Sequence, residues 1–296
     1  MNQIEAKTIL QRVNHPSEMW FHTDYNMNLY KGCSHGCIYC DSRSENYQIE
    51  NFSEVRSKKN AIQILEDELS RKKIKGTIGM GAMSDPYNPL EKTALLTRSA
   101  LELILKYGYG VSIATKSDLI LRDIDLLSAI AKKNVCHVSL TITTPNDDLC
   151  KKIEPYVAVS SRRFEVVKQL KENGIVTGIL MMPILPFIND TLENIDGMIF
   201  QANRAKADYI YPFFGVTLRN IQRDYYYQQL DILFPGLKTK YQQTYHNQYE
   251  CDSPKHRELY AYFAEAMKHT TMLSSMKDIN KLLKPRQEPV QLSLMF

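Results

Sequence analysis

The sequence predicts an α/β protein whose parallel sheet is built from repeated βα units. Short apolar runs alternate with helical segments between residues 27 and 214, a pattern typical of strands joined by crossover helices. The predicted strands are residues 27–31, 77–83, 110–115, 135–142, 175–182 and 208–214. The predicted helices are residues 60–73, 93–107, 122–132, 161–173 and 191–205. About six such units are too few to close an eight-stranded barrel.

The length and composition allow this fold to bury a full core. The chain has 296 residues, of which 44% are hydrophobic, and this is the size class of one large domain with a smaller appendage. It has no apolar run of transmembrane length and no signal-like N-terminus, so we expect a cytoplasmic protein with no membrane partner. The net charge of +4 permits binding to a polyanion without requiring it.

Changes in pattern divide the chain into four predicted parts. The βα rhythm stops after residue 215, and the chain that follows is predicted to be mostly helical, with Ser253 as N-cap and Pro254 as first residue of one helix. Prolines then punctuate a short linker. The parts are an N-terminal strap at 1–24, a partial barrel at 25–215, a helical cap at 216–284 and a flexible tail at 285–296.

Three cysteines fall within eight residues, at Cys33, Cys37 and Cys40. Three thiolates around one centre suit a thiophilic iron-sulfur cluster, in which a four-iron centre keeps one iron open for a further ligand. A structural zinc with His35 as fourth ligand is the alternative. It would need all four ligands from one short loop, without the separated cysteine pairs of zinc ribbons, so the pattern favours the cluster.

The C-x3-C-x2-C loop, with the aromatic Tyr39 before its third cysteine, resembles that of the radical S-adenosylmethionine (SAM) enzymes. The resemblance implies an open (β/α)6 TIM-like barrel whose loop follows the first strand. It also implies a [4Fe-4S] cluster, SAM bound to the open iron, and an external electron donor whose electron cleaves SAM to a 5′-deoxyadenosyl radical. The catalytic side of such barrels is the carboxyl edge of the strands.

Several residues at predicted strand ends are candidates for SAM binding. Gly81 precedes the turn-rich Ser84 and Asp85, where by resemblance the amino end of SAM lies against backbone. Lys116 ends the next strand, and a solvated surface charge is its alternative role.

The strand at 135–142 places alternate residues on one polar face. Ser139 and Thr141 on that face resemble positions that contact the ribose and methionyl parts of SAM, whereas His137 is expected to be a satisfied core histidine. Arg162 and Arg163 begin a helix, where the macrodipole disfavours cations. One of them, with Arg162 as our choice, is therefore a candidate for the SAM carboxylate, and a surface salt bridge is the alternative.

A set of further motifs resembles the spore photoproduct lyase-like group of this family, over residues 20 to about 285. They are Ser84-Asp85-Pro86-Tyr87, Thr115-Lys116-Ser117, Ser139-Leu140-Thr141, Glu154-Pro155 with Arg162-Arg163, and Pro183-Ile184-Leu185-Pro186. The resemblance implies action on DNA, as in repair of a base lesion. Two departures stand out, because Ala82 occupies the position of the lyase's hydrogen-donor cysteine and Asp41 that of its tyrosine. Cys251 is a candidate substitute donor, with a buried structural thiol as the alternative.

The last six residues are apolar and follow the proline-punctuated linker. They resemble the peptide that binds the bacterial sliding clamp, in which a glutamine anchors and apolar side chains fill a pocket. The residues concerned are Gln291, Leu292, Leu294 and Phe296.

The sequence therefore predicts a radical SAM enzyme that acts on DNA and is recruited by the sliding clamp. Modification of RNA or of a peptide by the same chemistry is the alternative enzymatic function. The non-enzymatic alternative is an accessory protein that binds nucleic acid or the clamp and whose metal loop is structural.

Overall fold

The computed structural model describes residues 2–14 and 19–283. The strands are β1 (Gln3–Ile4), β2 (Leu10–Arg12), β3 (Tyr25–Met27), β4 (Tyr30–Lys31), β5 (Arg56–Lys58), β6 (Thr77–Met80), β7 (Gly110–Thr115), β8 (Cys136–Thr141), β9 (Val176–Met181), β10 (Tyr209–Pro212), β11 (Gly215–Thr217) and β12 (Glu250–Asp252). The α-helices are α1 (Ala61–Arg71), α2 (Glu91–Ala94), α3 (Leu96–Tyr107), α4 (Ile124–Ala131), α5 (Asp147–Ile153), α6 (Ser160–Glu172), α7 (Leu192–Arg204), α8 (Asn220–Leu233), α9 (Leu237–Tyr245), α10 (His256–Met267) and α11 (Met276–Leu282). Short 3-10 helices span Asp41–Arg43, Glu45–Tyr47 and Asp118–Asp123.

The main sheet is the predicted open, partial barrel. Its parallel strands β3, β6, β7, β8, β9 and β10 lie side by side in chain order, and β2 adds an antiparallel strand next to β3. Within the described residues, β2 and β10 end the sheet and do not pair with each other. All the parallel strands therefore present their carboxyl ends at one edge, where the loops meet.

The helices cover the outer face of this sheet, as the spacing of apolar residues predicts. On α3, Ala100, Leu101 and Ile104 are fully buried against the sheet and α1. The helix ends at Gly108, whose φ of 70° is the left-handed conformation of a helix C-cap. The same arrangement of a buried apolar stripe recurs on α4, α6 and α7.

The predicted strand at 27–31 is wrong in its position. The barrel strand is β3, and the chain then leaves the main sheet so that β4 pairs with β5 in a separate three-stranded sheet with β1. The Tyr30 hydroxyl is anchored there by a hydrogen bond to the buried carboxylate of Glu91. The cysteine loop follows directly after β4. The local pattern of apolar residues does not show that the chain leaves the main sheet at this point.

The residues before β3 fill the gap between the two ends of the sheet. Phe21 is 2% exposed, and its ring lies 5.5 Å from that of Tyr209 on β10. Because β3 begins only four residues later, the N-terminal segment spans from one end of the sheet to the other. It is part of the barrel wall as well as a strap over it.

The C-terminal region forms a cap against the cysteine loop. The two-stranded sheet of β11 and β12 packs with α8, α9 and residues of the loop in a second apolar cluster. The predicted N-cap at Ser253 is wrong, because α10 begins at His256. The Ser253 hydroxyl instead donates to Asp190 at 2.6 Å and accepts from the backbone N–H of Lys255, so it joins the cap to the barrel. None of the described helices is both long and apolar enough to cross a membrane.

Candidate active site

The cysteine loop is held in place by backbone hydrogen bonds to neighbouring segments. The N–H of Cys33 donates to Phe52 at 2.8 Å, and that of Ile38 donates to Ile153 at 3.0 Å. Gly32 has a φ of 84°, and a Cβ there would lie 2.4 Å from the carbonyl oxygen of Glu54, so only glycine fits. The loop is thus fixed by residues far apart in sequence.

The three cysteines line one small cavity of about 80 Å³. Among residues 2–14 and 19–283, no three His, Cys, Asp or Glu side chains converge as the ligands of a single ion would. His35, the candidate zinc ligand, turns its Nδ1 towards Asp85 Oδ2 at 3.5 Å. Three thiols spread around a cavity, with the imidazole engaged elsewhere, fit an extended thiophilic cluster better than a single zinc.

Burial controls the protonation of these thiols. Desolvation raises the pKa of Cys33 to about 11, with Asp85 adding to the shift. It also raises the pKa of Cys37, although the nearby Lys116 ammonium opposes the change. Both groups are therefore thiols at neutral pH without metal, and binding of iron must displace their protons.

The residues after β6 connect the strand end to the cysteine loop. The Ser84 hydroxyl donates to the carbonyl of Gly32. The Asp85 carboxylate accepts from Thr115 Oγ1 at 2.7 Å and from the backbone N–H of Lys116 at 2.9 Å. The structure therefore gives the side chains of Ser84 and Asp85 partners within the protein, and both residues act on the site by positioning its walls.

Gly81 lies at the point of closest backbone approach. Its φ is 101°, and a Cβ there would stand 2.0 Å from the carbonyl oxygen of Ala114 on β7. It lines both the thiol cavity and the larger cavity described next. A side chain at this position cannot be accommodated without moving β7.

A larger cavity of about 480 Å³ adjoins the thiol cavity inside the barrel. Ser139, Thr141 and Tyr39 line it. The Ser139 hydroxyl also shares a 2.6 Å hydrogen bond with the Tyr209 hydroxyl across the barrel. The residues common to both cavities are Cys40, Ser42, Gly81, Ala114, Lys116 and Thr141. A molecule in the larger cavity would therefore reach the cysteine end of the barrel.

Lys116 lies half-buried at the junction of the two cavities. Its ammonium lies 5.6 Å from the centroid of the Tyr39 ring. Burial alone would lower the pKa of Lys116, but attraction to Cys37 when its thiol is ionised, and to the Glu154 carboxylate, raises it above its usual value. The lysine is therefore a half-buried cation in the lining of both cavities rather than a fully solvated surface charge.

A buried ion pair behind the loop was missed by the sequence analysis as a functional feature. Arg163 Nη2 lies 2.6 Å from Glu154 Oε2, with both side chains at most 1% exposed. The other Glu154 oxygen accepts a hydrogen bond from the Tyr39 hydroxyl. Burial would raise the pKa of Glu154, but Arg163 and Lys116 hold it below its usual value. The Glu154-Pro155 motif was the signal available in the sequence.

Arg162 does not face the cavities, so its predicted contact with the SAM carboxylate is not supported. Its Nε lies 2.9 Å from Asp118 Oδ2, and both side chains are more than 40% exposed. Adjacent helix positions point about 100° apart, and the inward position belongs to Arg163. The alternative role of Arg162 as a surface salt bridge is the observed one.

His137 lies among core groups in the barrel interior. Its Nε2 is 3.2 Å from Ser112 Oγ, and its ring stacks on Phe21 at 5.6 Å. Burial lowers the pKa of His137 to about 3. His137 is therefore a neutral core histidine as expected, but it is not fully satisfied, because its buried Nδ1 has no hydrogen-bond partner among the described residues.

Cys251 is fully buried on β12 and packs with Tyr226 and Tyr241 in the cap. It is absent from the described lining of the larger cavity, whereas Ala82 and Asp41 are part of that lining. Its position is that of the structural thiol, so it is a poor candidate for a hydrogen donor. The predicted clamp-binding residues Gln291, Leu292, Leu294 and Phe296 lie outside the described part of the chain.

The N-terminal segment contributes a wall of the larger cavity that sequence reasoning did not find. Val13, Trp20, Phe21 and Thr23 all line it. The sequence predicts no functional role for residues 1–24, because a segment without periodicity gives no indication of where it folds. The single tryptophan was the one available signal.

Comparisons with known proteins agree with this geometry. A family model described as the Radical SAM superfamily matches residues 27–199. The uncharacterized protein MJ0683 of Methanocaldococcus jannaschii is 39% identical over 166 residues, which cover 56% of this chain and 62% of that protein. The match thus spans less than two thirds of that relative.

Two solved structures share the fold at low sequence identity. Spore photoproduct lyase complexed with dinucleoside spore photoproduct is similar with a TM-score of 0.63 and 14% identity, over 90% of this chain and 79% of that one. The radical SAM methyltransferase TsrM of Kitasatospora setae, bound to its tryptophan substrate and a SAM analogue, is similar with a TM-score of 0.56 and 12% identity, over 85% of this chain and 54% of that one.

Proposed function

Because this chain belongs to the radical SAM superfamily, we propose that it holds a [4Fe-4S] cluster on Cys33, Cys37 and Cys40 and uses SAM to act on DNA. One observation carries the proposal, namely that a cavity walled by three thiols adjoins a larger cavity at the carboxyl edge of the strands. When bound, the cluster and SAM supply one-electron chemistry, in which an electron from an external donor cleaves SAM to a 5′-deoxyadenosyl radical that abstracts hydrogen.

The residues around the junction of the cavities have separate roles in this proposal. The backbone at Gly81 and the hydroxyl groups of Ser139 and Thr141 surround SAM. The Lys116 ammonium is the cation of the cavity wall available to the carboxylate of SAM, in place of Arg162. The Tyr39 ring forms a wall between the cysteines and the larger cavity.

Three features support DNA as the substrate. The fold is similar to that of spore photoproduct lyase, whose structure holds a dinucleoside lesion. Apart from this, the chain has a net charge of +4, which favours approach to a polyanion. Most of the motifs quoted for the lyase-like group contain residues that line the cavities or pair behind them, although Arg162 lies at the surface.

The hydrogen-return step differs from that implied for the lyase. Ala82 and Asp41 both line the cavity, and neither has the S–H or phenolic O–H group that such a relay needs. Asp41 Oδ1 instead lies 3.4 Å from Arg219 Nε of the cap. We therefore propose a base lesion or base modification other than the dinucleoside spore photoproduct bound in the lyase structure.

The cofactor part of the proposal is tested by metal content. Protein reconstituted anaerobically with iron and sulfide is expected to bind about four irons per chain, and its reduced cluster spectrum should change when SAM is added. Cys37→Ala should lose the cluster, whereas Cys136→Ala, which removes a core thiol remote from the loop, should keep it. Zinc in place of iron, with no response to SAM, would support the accessory-protein alternative.

The substrate part is tested by SAM turnover. Release of 5′-deoxyadenosine is measured with duplex DNA carrying ultraviolet lesions, with undamaged duplex, and with RNA of the same sequence. We expect stimulation by damaged DNA that falls as salt rises, since phosphate contacts are screened. Stimulation by RNA alone would replace the DNA assignment and keep the radical chemistry.

A further inference from the structure

The larger cavity has two unlike ends. The end next to the cysteines is polar and contains Asp41, Ser42 and Lys116. The apolar residues Val13, Trp20, Phe21, Leu180, Met182 and Phe213 line only the larger cavity and not the thiol cavity, and we call this group its apolar end, with the uncharged Thr23 and Asn26 also among the unshared lining. Ionisable side chains are missing from that second group, so it suits an uncharged, flat group rather than a phosphate or a carboxylate.

Two adjacent aromatic residues of the N-terminal segment differ sharply in exposure. Phe21 is 2% exposed and is locked between His137 and Tyr209. Trp20 is 43% exposed although it lines the same cavity. A large apolar ring left open at a cavity is typical of a binding surface.

Trp20 is also held in a defined position. The Thr23 N–H donates to the Trp20 carbonyl at 3.2 Å, which closes a turn. Within this turn, Phe21 and His22 have φ values of 45° and 50°, a left-handed conformation that is costly for residues with side chains. Backbone strain of this kind is concentrated at ligand sites, where the surrounding structure holds it.

The indole is supported by other rings of the barrel wall. Its centroid lies 4.8 Å from that of Phe21 and 6.0 Å from that of Tyr211, with interplanar angles of 85° in both pairs. Edge-to-face packing on two sides fixes the plane of the indole. A fixed plane with an open surface is what stacking of a second flat ring requires.

We propose that Trp20 is the stacking platform for the substrate, and that its occupant is a nucleobase taken out of the DNA stack. The inference rests on the proposed function. It adds the position of the base, which lies at the apolar end of the larger cavity, away from the cysteines. An enzyme that acts on one base must extrude it, and an aromatic surface offsets the stacking that the base loses.

The test uses the one tryptophan in the chain as its own reporter. Thymidylyl-thymidine is titrated into the anaerobically reconstituted full chain with SAM present, and a doubly abasic dinucleotide of the same charge serves as control. We expect the base-containing dinucleotide to change the tryptophan emission and the abasic one to leave it unchanged. Equal responses to both, or no response to either, would overturn the inference.

Variants are compared by equilibrium dialysis with labelled thymidylyl-thymidine, because Trp20→Phe removes the fluorescence signal. Removing an aromatic ring on which one base stacks weakens binding by about tenfold or more. We therefore expect Trp20→Ala to bind thymidylyl-thymidine about tenfold more weakly or worse. Trp20→Phe should bind within about threefold of the unchanged protein, since a phenyl ring still stacks. Met19→Ala is the matched control, because Met19 is 65% exposed and is not among the cavity residues.

The outcome is separable from that of the proposed function. If damaged DNA stimulates 5′-deoxyadenosine release but Trp20→Ala binds the dinucleotide normally, the platform is wrong and the proposed function stands. If the dinucleotide binds through Trp20 but no DNA stimulates SAM cleavage, the platform stands and the proposed reaction is wrong. Preference for a tryptophan-containing peptide over the dinucleotide would overturn the nucleobase as occupant.

Discussion

Arg162 and Arg163 are adjacent in α6, but the first lies at the surface and the second is buried behind the cysteine loop. Both begin α6, yet Arg162 pairs with Asp118 in solvent, while Arg163 is fully buried against Glu154. Arg163 also donates to the carbonyl groups of Thr141 and Ala158, so its guanidinium is well satisfied. From the sequence, a cation at a helix N-terminus is unfavourable and therefore suggests a specific partner. Which of the two adjacent arginines faces the site depends on how the helix is rotated about its axis, and the sequence does not show this.

The two ion pairs give a prediction with an internal control. Glu154→Gln leaves the buried Arg163 without a counter-charge, and we expect it to lower the free energy of unfolding by about 3–5 kcal/mol. Asp118→Asn breaks the exposed pair and should cost about 1 kcal/mol or less. Urea denaturation of the metal-free variants measures both. Equal losses would show that the Glu154 pair does not brace the loop.

His137 gives a prediction for pH. Its pKa of about 3 in the folded protein lies below the ordinary value, so the unfolded chain takes up the proton first as pH falls. The contribution of neutral His137 to the free energy of unfolding is complete above about pH 6.5 and is lost as the pH falls towards about 3. At pH 5 the free energy of unfolding should be lower by about 2 kcal/mol. The unfolding free energy of the metal-free protein at pH 7 and pH 5 measures this.

The control for that measurement is His137→Gln, which removes the titrating group and keeps a polar side chain of similar size. Between pH 7 and pH 5, the unfolding free energy of the variant should fall by about 2 kcal/mol less than that of the unchanged protein. An identical pH dependence of both proteins would mean that protonation of His137 is not coupled to unfolding.

At the scale of elements, the sequence predicted most of the barrel. The predicted strand at 110–115 coincides with β7, and the alternation at 135–142 correctly placed Ser139 and Thr141 towards the interior. Periodicity works here because each strand lies between its sequence neighbours. The predictions failed at residues 27–31 and at Ser253, because a partner distant in sequence decides the conformation there. Residues 30 and 31 pair with β5, and the Ser253 hydroxyl bonds to Asp190.

Two glycines with positive φ give a prediction at the end of β6. Gly81→Ala and Gly108→Ala each force a side chain into the left-handed region, at a cost of about 1–2 kcal/mol. Gly108 has open space around its Cβ position, whereas Gly81 would meet the backbone of Ala114. We therefore expect Gly81→Ala alone to weaken SAM binding, by tenfold or more in equilibrium dialysis. Normal SAM binding by this variant would place SAM away from the strand end.

At the scale of the whole molecule, the cysteine loop is enclosed between the barrel and the cap. Gln222 on α8 donates to the Tyr39 carbonyl at 3.1 Å, and Arg43 lies over the Tyr225 ring at 3.9 Å. The N-terminal segment closes the barrel on another side through Phe21. The cap therefore packs on the cysteine loop, whereas the N-terminal segment lines the larger cavity, and no local sequence pattern could predict either arrangement.

We propose that the protein removes a hydrogen atom from a DNA base. The most direct test is isotope transfer, in which ultraviolet-treated duplex DNA with deuterated thymine is incubated with reduced, reconstituted protein and SAM, and the 5′-deoxyadenosine is analysed by mass spectrometry. The account predicts deuterium in 5′-deoxyadenosine from the damaged duplex, and much less from Trp20→Ala. Formation of 5′-deoxyadenosine without deuterium, at a rate indifferent to DNA, would contradict it.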